Sequence, residues 1–130
     1  MKAGENMNSS IDILVFSPHP DDAEIGCGGS LLLASQKGRR IIIADMSDGE
    51  RSSRGTTAIR KEEKQNASKI LGLNKRISLG LPDTKISLDS DQLQSVIDII
   101  REFRPRMVLA PYWVDRHPDH ENAGKLIRTA

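Results

Sequence analysis

The sequence predicts an α/β domain in which helices cover both faces of a mainly parallel, doubly wound sheet. Three observations carry that expectation. Short apolar runs rich in β-branched residues alternate with stretches of helical periodicity, each run ends at Pro, Gly or a polar loop, and the strand–helix order recurs through the whole chain. Right-handed crossovers between successive strands then make the sheet largely parallel.

The first strand is expected over Ile11 to Ser17, where Pro18 stops an apolar run and a loop bearing His19-Pro20-Asp21-Asp22 follows. Ile25 to Lys37 reads as a helix closed by Gly38, a residue suited to a C-terminal cap. Arg40 to Asp45 is a second buried strand, and the polar, Gly- and Ser-rich stretch Met46 to Thr57 is a long loop well placed to touch a ligand. Thr57 to Leu71 carries Ile59, Ala67, Ile70 and Leu71 among charged residues and ends before Gly72, the pattern of an amphipathic helix. Arg76 to Leu79 is a short third strand, and Leu81-Pro82-Asp83-Thr84 is turn chemistry. Leu93, Val96, Ile97 and Ile100 then recur at helical spacing up to Arg104-Pro105. Met107 to Ala110 is a fourth strand cut by Pro111, the cluster His117-Pro118-Asp119-His120 follows, and a helix is expected from Glu121 onward. Residues 1–10 are expected to be a flexible segment ahead of one domain over 11–130.

The chain's 130 residues suffice to bury one core without disulfides. Nineteen Lys and Arg against eighteen Asp and Glu leave a net charge of +1, so no global field recruits nucleic acid or an anionic membrane, and a small polar substrate is expected instead. The apolar runs are too short to span a bilayer, residues 1–10 lack the apolar core of a signal peptide, and Cys27 has no partner for a disulfide, all of which point to a cytoplasmic protein.

All three histidines lie in the two His-Pro-Asp clusters. Imidazole nitrogen and carboxylate oxygen together suit Zn²⁺, and three protein ligands with one open position form the usual plan of a hydrolytic site. In doubly wound sheets ligands collect beyond the carboxyl ends of the strands, near the point where strand order reverses. If the first and fourth strands are neighbours, two remote loops grip one ion. Of the adjacent carboxylates Asp21 and Asp22, one can bind metal while the other takes a proton from the attacking water. In the second cluster one imidazole can complete the metal shell and the other can stabilise or protonate the oxyanion, with Asp119 holding its tautomer.

These residues resemble the PIG-L or LmbE-like N-deacetylases of N-acetylated amino sugars, over nearly the whole chain from Ile11. Pro18-His19-Pro20-Asp21-Asp22-Ala23-Glu24-Ile25-Gly26 is similar to that family's first metal motif, and Arg116-His117-Pro118-Asp119-His120 to its second. Ser52-Ser53-Arg54-Gly55-Thr56, Arg60-Lys61-Glu62-Glu63 and Ala110-Pro111-Tyr112-Trp113 most resemble the branch that deacetylates N-acetylglucosaminyl malate in bacillithiol synthesis. The resemblance implies a Rossmann-like three-layer fold, a zinc-dependent deacetylase, His19, Asp22 and His120 as zinc ligands, and Asp21 as general base. It further implies His117 as the electrostatic or acid partner oriented by Asp119, and Arg60, with Arg116 as a second candidate, as residues that bind an amino-sugar substrate. Family members continue past the point where this chain stops, which implies a C-terminally incomplete domain and leaves room for a homo-oligomer.

Plainer readings stand beside these. A single His-Pro-Asp loop is ordinarily a turn, but two at matching strand ends point to a metal. Asp119 can simply cap a helix starting near Glu121, and Arg60 and Arg116 can be ordinary solvated side chains. Cys27, beside Gly28, reads as a small packed residue rather than a nucleophile, and Gly26-Cys27-Gly28-Gly29 lacks the spacing of a dinucleotide loop. Tyr112 and Trp113 either line the pocket or pack their loop. A phosphoesterase, which more often wants two ions, and a metal-binding fragment without turnover are the rival functions, and Fe²⁺, Co²⁺ and Mn²⁺ are rival ions.

Overall fold

The computed structural model describes residues 10–130, so the flexible segment expected over 1–10 lies, apart from Ser10, outside the described residues. Four strands and four helices alternate: β1 (Ile13–Ser17), α1 (Asp22–Gln36), β2 (Ile41–Asp45), α2 (Thr57–Leu71), β3 (Lys75–Ser78), α3 (Ser90–Phe103), β4 (Met107–Leu109) and α4 (Pro118–Thr129). The strands form one parallel sheet in the order β3-β2-β1-β4. The chain therefore builds outward from β1 to β3 and then crosses to the other side of β1, which puts the switch point between β1 and β4.

All five residues of β2 are buried, as a strand covered on both faces requires. Alternation then sorts the core into two layers. Ile41 and Ile43 pack with Val15, Leu31 and Leu71 beneath α1 and α2, while Ile42 and Ala44 pack with Leu14, Phe16, Val96, Ala123 and Leu126 beneath α3 and α4. The amphipathic helix expected over Thr57 to Leu71 has those same bounds, capped by Thr56, whose hydroxyl accepts from the Ile59 amide, and by Gly72 in the left-handed region at φ 67°.

Two helices begin earlier than their apolar periodicity suggests. α1 starts at Asp22 rather than Ile25, and α4 at Pro118 rather than Glu121. In α4 the cap is His117, not Asp119: the His117 side chain accepts from the Asp119 amide, and Pro118, which lacks an N–H, suits the first turn. Half of each metal motif is therefore the first turn of a helix.

Two packing features hold those first turns in place. A Cβ added at Gly124 would stand 2.6 Å from the Pro111 carbonyl oxygen and 2.9 Å from the Trp113 nitrogen, so only glycine lets α4 descend onto the segment leaving β4. His120 lies one turn earlier on the same face of that helix. On the opposite face of the sheet, Asp45, fully buried, accepts a forked pair of bonds from Arg76 Nε and Nη2 at 2.8 and 2.9 Å. Arg76 Nη1 stands 2.9 Å from Glu24 Oε1 of α1 as an ion pair rather than an aligned hydrogen bond, and Lys64 of α2 lies 3.5 Å from Asp45. This chain of charges ties α1, two residues beyond Asp22, to the sheet.

Gly124→Ala is expected to lower stability by about 1–3 kcal/mol through overpacking against backbone, although glycine to alanine in an open helix normally raises it by roughly 0.5–1 kcal/mol; the sign is read from urea midpoints. Arg76→Met removes the forked partner of Asp45 and the cation beside Glu24, leaving Asp45 with Lys64 alone, and is expected to cost about 3–5 kcal/mol, whereas a loss under about 1 kcal/mol would show that the pair is not desolvated.

Candidate metal centre

β1 delivers His19 to the site through a loop fixed by buried hydroxyls. Ser17 Oγ donates to the His19 carbonyl at 2.5 Å and accepts from the Ala23 amide at 3.1 Å, and Ser47 Oγ donates to the Pro18 carbonyl at 2.8 Å. The His19 amide donates to Asp22 Oδ2 at 2.9 Å, which closes the turn over Pro20 and Asp21. Asp21 caps α1 without a side-chain capping bond, is exposed, and lines the cavity beside the cluster, while Asp22 points inward. The two adjacent carboxylates thus separate into two directions.

The second cluster arrives beside the first because β4 pairs with β1. Ring centroids of His19 and His120 are 5.6 Å apart, of His19 and His117 5.0 Å, and of His117 and His120 4.9 Å. Asp22 Oδ2 lies 3.3 Å from His19 Nδ1 and 3.1 Å from His120 Nε2. One nitrogen from each histidine and one Asp22 oxygen all fall within 4.8 Å of one another. Two nitrogens and one oxygen at such separations, from partly exposed side chains, fit the donor set and open side of a hydrolytic zinc site. A second group, His19, His117 and Asp119, meets the same distance test but shares His19.

Asp119, 1% exposed, does not turn its carboxylate to His117. It accepts from His19 Nε2 at 2.8 Å, from the Thr84 amide at 2.8 Å and from the Ile86 amide at 3.2 Å. Its contact with His117 runs through its backbone N–H, donated to His117 Nδ1 at 3.1 Å, so a neutral His117 carries its proton on Nε2. Asp119 meets His117 through its amide, because helix capping places that N–H beside the ring.

Three carboxylates surround His19. The hydrogen bond to Asp22, opposed by burial and reinforced by Asp119 and then by the charge of Asp83, pushes the His19 imidazole up to about 9. Burial works to raise the Asp22 carboxyl, but bonds from the His19 ring and amide and the charge of His120 outweigh it and hold Asp22 below the usual range.

Two members of the site were not singled out in the sequence. Asp83, in the Leu-Pro-Asp-Thr turn, places Oδ1 3.2 Å from His19 Nε2 and accepts the Arg51 amide at 2.8 Å, linking the metal cluster to the 46–57 loop. Asp115 accepts the His117 amide at 2.8 Å and stands 3.6 Å from His120 Nδ1. Only Asp115 left a local signal, as an Asp two residues ahead of a helix cap.

The cavity beside the cluster measures about 570 Å³ and is bordered by His19, Asp21, Asp83, His117 and the 48–55 loop. Arg60 borders it but spends its guanidinium on the carbonyls of Gly49, Ser52 and Arg54, so it shapes the wall. Arg116 is exposed and lies outside that lining. Trp113 packs against Tyr112 and under Arg128 rather than lining the cavity. Cys27 is a packed residue whose thiol burial pushes its pKa up.

Residues 14–130 match the model of the PIG-L family, GlcNAc-PI de-N-acetylase. The chain is 33% identical over 138 aligned residues to diacetylchitobiose deacetylase of Thermococcus kodakarensis, covering 96% of this chain and 51% of that protein. It is 30% identical to a probable N-acetyl-α-D-glucosaminyl L-malate deacetylase 2 of Bacillus subtilis, covering 88% and 58%. The crystal structure of a conserved protein of Thermus thermophilus superposes with a TM-score of 0.87 at 45% identity, covering 89% of this chain and 53% of that one. The chain thus spans about half the length of the relatives it matches. With both histidine motifs brought to one crevice of a matching fold, the chain belongs to the PIG-L (GlcNAc-PI de-N-acetylase) family.

Proposed function

We propose that the chain carries the metal centre and reaction cavity of a zinc-dependent N-deacetylase that removes acetate from an N-acetylglucosamine conjugate. The observation that carries this reading is the convergence of His19, Asp22 and His120 within 4.8 Å beside a cavity of about 570 Å³. An N-acetylated sugar amine is what the names of both sequence relatives share. N-acetylglucosaminyl malate is the conjugate that the loop resemblance favours. Zinc, when bound, makes hydroxide available near neutral pH and polarises a carbonyl.

The chain's own residues supply the rest. Asp21, exposed to the cavity and free of capping duty, takes the proton of the attacking water as general base. His117, with its proton on Nε2 and its ring bordering the cavity, donates a hydrogen bond to the developing oxyanion, and the proton that Asp21 took from the water passes to the leaving amine. Arg60 holds the 49–54 loop as the wall against which the sugar rests. A phosphoesterase reading is disfavoured because the two candidate ligand groups share His19 and offer no independent second ion site among the described residues. Among the described residues no helix is long and apolar enough to cross a membrane.

Acetate release from N-acetylglucosaminyl malate or diacetylchitobiose is expected to be abolished by chelation and restored by zinc. Asp21→Asn is expected to keep zinc but lose about 10²–10⁴ in turnover, and His120→Ala to lose both; a metal-replete chain that releases no acetate, while a chain of the relatives' full length does, would leave metal binding without catalysis. Because the His19 proton competes with the ion, zinc affinity is expected to fall about tenfold per pH unit below 9. Competition titrations between pH 6.5 and 9.5 measure that slope, and a flat profile contradicts it.

A further inference from the structure

We infer that Asp119 is a positioning residue for His19, presenting Nδ1 and not Nε2 of that ring to the ion. The inference rests on the zinc reading above and goes beyond it by assigning the ligand nitrogen and the group that selects it. His19 Nε2 is already engaged: Asp119 Oδ2 lies at 2.8 Å and Asp83 Oδ1 at 3.2 Å. Nδ1, on the other side of the ring, faces Asp22 Oδ2 at 3.3 Å, on the side where His120 approaches.

The Asp119 carboxylate is not free to move toward a metal itself. It is 1% exposed and accepts the amides of Thr84 and Ile86 at 2.8 and 3.2 Å. Thr84 sits in the left-handed region at φ 66°, a conformation unfavourable for a β-branched residue that persists where the surroundings over-determine it. A cation on the alternative group of His19, His117 and Asp119 would have to break into this bonded carboxylate, whereas one on His19, Asp22 and His120 leaves it intact.

His120 has its nitrogens exchanged, with a looser ion-pair contact behind it in place of a hydrogen bond. Nε2 faces Asp22 Oδ2 at 3.1 Å, and Nδ1 has Asp115 Oδ2 behind it at 3.6 Å. A carboxylate behind a ligating imidazole fixes its tautomer and ring orientation and raises its basicity toward the metal. The site therefore binds through Nδ1 of one histidine and Nε2 of the other.

Long-range ¹H–¹⁵N correlation of the zinc-loaded protein, which has only three histidines, tests the assignment. The expected spectrum gives His19 a slowly exchanging proton on Nε2 with Nδ1 coordinated, and His120 coordinated through Nε2. Zinc held through Nε2 of His19 overturns this inference alone, and a protein that takes up no zinc overturns the reading beneath it. Asp119→Ala and Asp119→Asn are expected to lose about 10- to 100-fold in zinc affinity, with the His19 Nε2 proton no longer protected from exchange. If Asp119 served His117 instead, both variants would keep wild-type zinc affinity, as His117→Ala would. Should neither variant fold, the wild-type spectrum still decides which nitrogen is bound.

Discussion

Val15 stands opposite Leu109 across the β1–β4 ladder, and the loops that leave these two strands consequently start side by side. Every distance in the metal cluster follows from that register. The chain spends β2 and β3 on one side of β1 and then crosses to the other, and a crevice opens at the carboxyl end of the sheet where the two directions part. Apolar layers on both faces make the crevice rigid, because Leu14, Ile42 and Val96 on one side and Ile41, Ile43 and Leu31 on the other leave the strands no room to slide. Glycine at 124 completes the arrangement by letting α4 come down far enough to bring His120 beside Asp22.

Two concentrations of buried acid lie at this end of the sheet, and they are neutralised differently. Asp45 has a permanent partner, since the Arg76 guanidinium remains charged at any physiological pH and its fork matches the carboxylate. Asp83 and Asp119, at most 7% exposed in their side chains, share His19 as their ion-pair partner among the described residues. Buried carboxylates that must stay ionised need a nearby cation. The His19 imidazole faces both of them and Asp22 as well, and the hydrogen bond to Asp22, then Asp119 and the charge of Asp83, push it up to about 9. A divalent ion on the far nitrogen can take over the role as the proton leaves. The first acid centre is built to be permanent and the second to be exchangeable.

The fold was legible because each strand and helix announces itself locally. β2 is a continuous buried run, α2 carries its own caps, and the order of elements leaves few topologies for a parallel sheet. The metal motifs were legible because all three histidines fall in them. What the sequence concealed is the set of contacts made across the crevice. Asp119 reads as a helix cap or a partner of the adjacent His117, and only the placement of the Thr84–Ile86 segment turns its carboxylate to His19. Asp83 reads as a turn residue, because nothing near it in the chain says that its turn lies against a histidine from β1. The early starts of α1 and α4 were hidden by their polar first turns, which carry function where periodicity would carry packing.

Those first turns also explain why the cluster holds more carboxylates than a three-ligand site can use. Asp22 opens α1 and His120 is the third residue of α4, so the site faces two helix N-termini, each worth roughly half a positive charge. Such ends favour the ionised form of Asp22, but they oppose a divalent cation. The position is useful for rigidity and unfavourable for charge. Asp119 behind His19 and Asp115 behind His120 reverse the balance: each lies on the far side of a histidine and adds negative potential without occupying a ligand position. Asp83 contributes in the same direction from the opposite wall while tying the 46–57 loop to the site. Helical first turns set the geometry of the proposed ion, and the acids behind them make that geometry electrostatically tenable.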